Sequence, residues 1–371
     1  MKGTVIMLGA TLIAAVIAST ESPSPTQPVK SEAAPSNDLQ AYLDSLATEN
    51  KLSGVLLVAK NGVTVASKAA GIANKATNAA IDLDTKFNLG SMNKMFTAVA
   101  IAQLAQAGKL AFNDTIAKHL PDYPNKEVAE KVTLDQLLTH TSGMGMYWNE
   151  KFMAQREKLL TVAAHLPLFA ADPLAFPPGE KFQYSNAGYM VLGAIIEKVS
   201  GQDYYSYVHD HVYRPAGMSN TGFYEPGKEI PNLAVGYTKM SPDGKPQQEI
   251  RDNNSLREVK GGPAGGGYST APDLVKFQQA LFSYKLLDKA HTELVTTGKV
   301  DGPRGMKYGY GFGTNDAGAK HSVGHNGGSP GVAANFEMFP ESGYAAVELM
   351  NTDPPSMMPL AKAIRERIPA R

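Results

Sequence analysis

The chain has 371 residues, with 35 Lys and Arg balanced by 35 Asp and Glu, and no Cys. A neutral chain lacks the bulk electrostatic footprint of a nucleic-acid binder, and without thiols there are no disulfides, thiolate metal sites or cysteine nucleophile. With 43% hydrophobic residues it can bury a large core, and about 150 residues per domain suggests roughly two units.

Met1-Lys2 leads into an apolar run from Val5 to Ala18, too short for a membrane span but suited to a secretory signal. Val16-Ile17-Ala18 places small side chains where a signal peptidase reads, which predicts a signal peptide over 1–18. No Cys follows to accept a lipid. Residues 19–36, rich in Ser, Pro, Thr and Ala, read as a flexible linker before a catalytic domain over 37–371. The expected destination is the periplasm or the exterior, with no stable membrane insertion after cleavage.

Asn37 or Asp38 can cap a helix that carries Leu39, Tyr42, Leu43 and Leu46 on one face. Gly54–Lys60, the Asn61-Gly62 turn and Val63–Ala69 predict a hairpin. Helices are expected over Met92–Ala107, Asn186–Ser200 and from a Thr270–Asp273 capping box, with Gly108 and Gly201 ending the first two. Tyr308–Gly313, Ser322–His325, Val332–Phe339 and Ala345–Met350 read as strands, and a final helix runs from about Ser356 to Ile368. Strands at both ends with helices between predict an α+β fold. One antiparallel sheet subdomain (37–90 and 286–371) is interrupted by a mainly helical subdomain (91–285), with a pocket at the junction.

Two serines compete as nucleophile. Gly327-Gly328-Ser329-Pro330-Gly331 matches a Gly-x-Ser-x-Gly elbow, but that motif needs a following helix and an acid and His later in the chain. Alternating Val332, Ala334, Phe336 and Met338 follow instead, and the last His is His325. The other candidate is Ser91-Met92-Asn93-Lys94, a pattern that average composition produces about once or twice in such a chain. Its placement gives it meaning. Ser91 opens an apolar helix and Lys94 lies one turn along the same face. Burial and the positive helix end lower an ammonium pKa, and a neutral amine can take the hydroxyl proton. The plain alternative is a helix cap followed by a solvated Lys.

Tyr184-Ser185-Asn186 stands before another apolar helix. Beside a Lys ammonium the Tyr184 phenolate is favoured and becomes a usable base; the alternative is a loop Tyr with Asn186 as N-cap. Gly324-His325-Asn326-Gly327-Gly328 supplies a third element, where glycines let a substrate backbone approach a strand. The alternative is a glycine-rich hairpin with an exposed His.

In this order, Ser91-x-x-Lys94, Tyr184-x-Asn186 and His325-Asn326-Gly327 resemble the serine β-lactamase and penicillin-binding-protein superfamily. The nearest likeness is to its class C branch, which includes β-lactamase-like esterases, D-Ala-D-Ala carboxypeptidases and D-aminopeptidases. Leu137–Gly143, Pro178-Gly179 and Gly262–Thr270 add to a resemblance that spans about 38–368. It implies an acyl-enzyme on Ser91, proton handling shared by Lys94 and Tyr184, and an oxyanion hole from the amides of Ser91 and Gly328. Asn186, His325, Asn326 and Gly327 would bind substrate, with Asn186 also holding Lys94. No organic cofactor is implied, and the partner is a small-molecule or peptide substrate.

One departure bears on specificity. β-Lactamases usually carry Lys at the start of the third motif, where it attracts the substrate carboxylate; here His325 stands there, mostly neutral at pH 7. Ester, amide or D-peptide cleavage with weak or selective β-lactam hydrolysis is therefore expected. The alternatives are an efficient class C-like β-lactamase and a non-hydrolytic penicillin-binding or sensor module. No metal is expected: His209-Asp210-His211 sits at a helix end, and His321 and His325, four apart on one strand face, lack an acidic third ligand. Gly261–Gly267 borders the pocket rather than binding phosphate, and Tyr147, Trp148 and Phe152 are core aromatics by default.

Overall fold

The computed structural model describes residues 39–369 except 50, 226–227, 242, 316–319 and 354–356. The expected signal peptide, the linker and the Asn37/Asp38 cap lie outside the described residues. Among those described, no helix is long and apolar enough to cross a membrane.

The first helix, α1 (Leu39–Thr48), leads into the hairpin β1 (Gly54–Lys60) and β2 (Val63–Ala70). The two strands turn through Asn61 and Gly62, both at positive φ as such a tight turn requires. A short strand β3 (Phe87–Asn88) precedes a 3-10 turn over Gly90–Met92 and helix α2 (Asn93–Gln106). Helix α3 (Asn186–Ser200) follows, then β4 (Tyr268–Ser269) and helix α4 (Ala271–Phe282). The C-terminal strands are β5 (Val300–Asp301), β6 (Lys307–Tyr308), β7 (Gly313–Asn315), β8 (Ser322–Ser329), β9 (Val332–Phe339) and β10 (Tyr344–Met350), and α5 (Met357–Arg367) follows them.

The main sheet has eight strands in the order β2-β1-β10-β9-β8-β7-β6-β5, antiparallel throughout. Both chain ends build it, because β1 pairs with β10 from Gly54 opposite Met350 to Lys60 opposite Tyr344. The period-2 pattern divides β1 between two cores. Val55, Leu57 and Ala59 face the helices, while Leu56 and Val58 join Leu43 of α1 and Leu360 and Ile364 of α5 on the other face. α2 is buried from Asn93 to Ala102, so it is the central helix of the inner layer.

Three boundaries differ from expectation. The strand expected over Tyr308–Gly313 is two short strands, β6 and β7, joined by a turn at Gly309–Phe312. Gly311 makes this turn at φ +75, where a β-carbon would lie 2.6 Å from Lys94 O and 2.7 Å from Ala98 Cβ. The strand expected to end at His325 continues to Ser329 and carries the whole glycine-rich segment in register, Gly327 opposite Ala334 and Gly328 opposite Ala333. At α4, Thr270 caps Asp273 N, but the Asp273 carboxylate turns to Asn220 N, Thr221 and Lys276 instead of closing a capping box. α3 matches its expected bounds, with Gly201 left-handed at its C-cap. Its N-cap is Ser185, whose Oγ accepts from Gly188 N, so Asn186 is the first helical residue and its side chain is not spent on the cap.

Candidate active site

Ser91 is the middle residue of the 3-10 turn and makes no cap there, and Lys94 in α2 is 0% exposed. Neither half of the plain reading, a capping Ser and a solvated Lys, describes them. Lys94 Nζ donates to Asn186 Oδ1 at 2.8 Å and to Ala264 O at 2.5 Å, and lies over the Tyr184 ring 4.7 Å from its centroid. Burial holds the ammonium well below its ordinary pKa, with Glu258 the opposing charge. Asn186 and Ala264 account for two N–H bonds, so the neutral form of this amine would keep its lone pair for a proton.

Tyr184 is poised differently from expectation. Its ring is part-exposed but its hydroxyl is buried without a hydrogen-bond partner, and burial raises it above the ordinary phenol range. The neighbouring Ser91 hydroxyl acts in the opposite sense, more weakly. Lys94 meets the ring face, so it does not supply the charge that would favour a phenolate. Tyr184 is therefore held as a phenol beside Ser91, fitted to pass a proton.

The Ser91 turn is pressed against β8. Gly90 has φ +50, and a β-carbon there would lie 2.9 Å from Gly328 N; one on Gly327 would lie 2.0 Å from Leu89 O and 2.9 Å from Ser91 N. Only glycines allow this approach, which sets the amides of Ser91 and Gly328 on either side of one narrow seam. The Gly261–Gly267 loop closes the back: Gly266 N donates to Gly90 O, Leu89 N to Gly267 O, and Gly267 N to Asn93 Oδ1. Ser329 ends β8, and Pro330-Gly331 turns directly into β9 with no helix after it. That geometry is not a nucleophile elbow.

The third motif splits between the two faces of β8. His325 points inward, 8% exposed, with its ring 6.4 Å from Tyr184. Asn326 points outward, its amide 4.0 Å from Met358 Sδ on α5, so only its backbone carbonyl belongs to the site, accepting from His325 Nδ1 at 2.5 Å. Burial and then Lys94 push the His325 pKa down to about 3. His321 lies just before β8 and pairs with Glu341 at 3.0 Å, so the two His take separate partners. Among the described residues no group of three or more His, Asp or Glu is placed to hold a metal ion. His209–Tyr213 forms a π-helical turn, Tyr147 and Phe152 are core residues, and Trp148 stacks on Phe152.

Two site residues escaped the sequence reading. His140, fully buried at φ +59, has its ring centroid 4.2 Å from that of Tyr184 at a tilt of 36°, and its Nδ1 accepts from Ser185 N at 3.0 Å. Tyr308 lies between His140 Nε2 (3.2 Å) and His325 Nε2 (2.9 Å). The Leu137–Gly143 segment flagged His140 only as part of a resemblance, and nothing local to Tyr308 marks it.

The β-lactamase family model matches residues 39–368. The chain belongs to the β-lactamase family. Members of this family are serine hydrolases. The chain is 32% identical over 276 residues to PbpX of Bacillus subtilis (strain 168), described as a penicillin-binding protein, covering 74% of this chain and 65% of that one. The crystal structure of a penicillin-binding protein from Bacillus halodurans superposes with a TM-score of 0.77 at 32% identity, covering 87% of this chain and 99% of that one. A D-stereospecific amidohydrolase from Streptomyces sp. gives 0.69 at 25%, covering 85% and 94%. The chain spans about two thirds of the length of the curated relatives it matches, 65% of PbpX and 64% of protein flp from Staphylococcus aureus (strain MW2).

Proposed function

We propose that the protein is an exported serine hydrolase that forms an acyl-enzyme on Ser91 and cleaves esters or D-amino-acid amides in preference to β-lactams. The observation that carries this reading is the setting of Lys94: fully buried, bonded to two uncharged acceptors, Asn186 Oδ1 and Ala264 O, and held by burial well below its ordinary pKa. The amine takes the Ser91 Oγ proton, with Tyr184 as conduit, and Oγ attacks the acyl carbon. The Ser91 and Gly328 amides stabilise the oxyanion, a role whose loss costs about 3–4 kcal/mol per donor in comparable hydrolases. The proton passes to the departing alcohol or amine, and water then releases the acid from Ser91 by the reverse proton path.

The substrate preference rests on charge. His325 stands where a Lys would attract a carboxylate, and a neutral imidazole supplies no such field. The likeness to a D-stereospecific amidohydrolase supports the amide arm. Export rests on the apolar run Val5–Ala18.

The test runs purified protein, Ser91→Ala and Ser329→Ala against p-nitrophenyl esters, D-amino-acid amides, a D-Ala-D-Ala peptide and a chromogenic cephalosporin. Loss of ester and amide turnover in Ser91→Ala alone is expected, with an acyl adduct on Ser91 by intact mass. Activity that survives Ser91→Ala, or efficient turnover of several penicillins, would overturn the nucleophile or the preference respectively. Stable labelling by penicillin with no turnover of any substrate would identify a sensor.

A further inference from the structure

Hydrogen-bond bookkeeping through the inner face of β8 fixes a direction. Ser185 N–H donates to His140 Nδ1, so the neutral His140 carries its proton on Nε2 and donates to Tyr308 Oη. Tyr189 Oη also lies beside Tyr308 and donates its own proton to Leu138 O, but His325 Nδ1 is held as a donor by Asn326 O, so the accepting nitrogen Nε2 takes the Tyr308 proton. His325 in turn carries its proton on Nδ1 and donates to Asn326 O. A backbone donor anchors one end and a backbone acceptor the other. Every ring nitrogen is used once, and none is left to face a substrate.

We infer that His140 and Tyr308 are positioning residues which, through His325, hold the Asn326–Gly328 backbone of β8 so that the Gly328 amide faces the oxyanion. His325 thus acts on the strand and not on the substrate's charge. The inference rests on the acyl-enzyme reading for its catalytic consequence but not for its hydrogen bonds. The groups facing His325 are Lys94 from α2, Tyr184 before α3, His140 and Tyr308. Lys94 and burial both oppose a charge on His325, which keeps the chain in its neutral, one-way form. Asn326, with its side chain turned away to Met358, serves through its carbonyl alone.

Tautomers are directly readable by nitrogen NMR of histidine-labelled full-length protein, with peaks assigned through His140→Gln and His325→Asn. At pH 7 the wild type should show neutral His140 protonated on Nε2 and neutral His325 protonated on Nδ1. Ser91→Ala should show the same pattern, so this arm succeeds or fails whether or not Ser91 is the nucleophile. Tyr308→Phe, which keeps the ring, should mix the His325 tautomers and lower kcat for an ester about tenfold, with KM within about twofold. A charged His325 or an Nε2-protonated one in the wild type overturns the inference, even if Tyr308→Phe does not fold. So does a Tyr308→Phe enzyme that raises KM with kcat intact, which would put His325 on the substrate.

Discussion

The two faces of the sheet bury ionisable groups to opposite ends. On the inner face Lys94, Tyr184, His140, Tyr308 and His325 are stripped of water and burial pushes each toward its uncharged form, with all but the Tyr184 hydroxyl bonded to backbone or to an uncharged side chain. On the outer face, under α5, Glu337 forms a two-pronged ion pair with Arg365, while Glu348 lies buried with one amide donor from Asn335. In the proposed mechanism, burial on the inner face tunes the groups that react. On the outer face it makes folding depend on pH. A buried titratable group is a stronger candidate for chemistry when a nucleophile and a backbone seam lie near it, as Ser91 lies beside Tyr184 and its turn is pressed against Gly327 and Gly328.

The sharpest way to break this contrast is to remove the inner amine. Lys94→Met keeps an unbranched apolar stem of similar length but has no lone pair. It should cut kcat/KM for an ester by about 10^4-fold or more, as loss of a triad member does in related chemistry, measured by steady-state kinetics. Stability should hold or rise, because the variant no longer desolvates an amine and loses only two hydrogen bonds. A fall in melting temperature with kcat nearly unchanged would show that Lys94 is structural.

A smaller effect is expected from the seam itself. Gly90→Ala places a methyl 2.9 Å from Gly328 N in a backbone conformation that L-residues rarely adopt. The turn and β8 must separate, and the two oxyanion amides with them. We expect kcat to fall about 100-fold with KM little changed, alongside a stability loss of about 1–3 kcal/mol by urea titration. Unchanged kcat would mean that the Gly328 amide is not a donor to the oxyanion.

What the sequence made legible follows from the range of the forces involved. The Gly54–Lys60 hairpin strand and the Asn186–Ser200 helix are set by local signals, a turn dipeptide and a glycine cap, and both were readable to the residue. Ser91 and Lys94 share a helix face by spacing alone. The state of Tyr184 was not legible, because it depends on whether Lys94 meets the ring face or the hydroxyl, a matter of packing between α2 and α3. His140 and Tyr308 are 168 residues apart and acquire a role only where the sheet folds against the helices. No sequence signal assigned Gly90 a role, and Gly327 read as room for a substrate backbone, yet both serve a contact between distant segments.

The smallest effect lies on the outer face and concerns pH. Burial first, and then the neighbouring Glu337 carboxylate, raise the Glu348 pKa from 4.5 to about 8, against weaker help from Asn335 and Arg365. A carboxyl whose folded pKa lies above its unfolded value binds its proton more tightly in the native state. Its contribution to stability is complete below about pH 4.5 and is lost as the pH rises through about 8. Glu348→Gln keeps an oxygen to accept from Asn335 Nδ2 and removes the titration. By calorimetry the variant and wild type should melt together near pH 5, and the variant should melt higher at pH 9 by roughly 5 °C. Ester turnover at pH 7 should stay within about twofold, since the carboxylate of Glu348 is bonded to Asn335 on the outer face and, among the described residues, to no group of the inner face. Parallel melting curves from pH 5 to 9 would mean that Glu348 is solvated as an ordinary carboxylate. A matching loss of turnover would mean that the two faces of β9 and β10 are coupled, and the division drawn between them would fail.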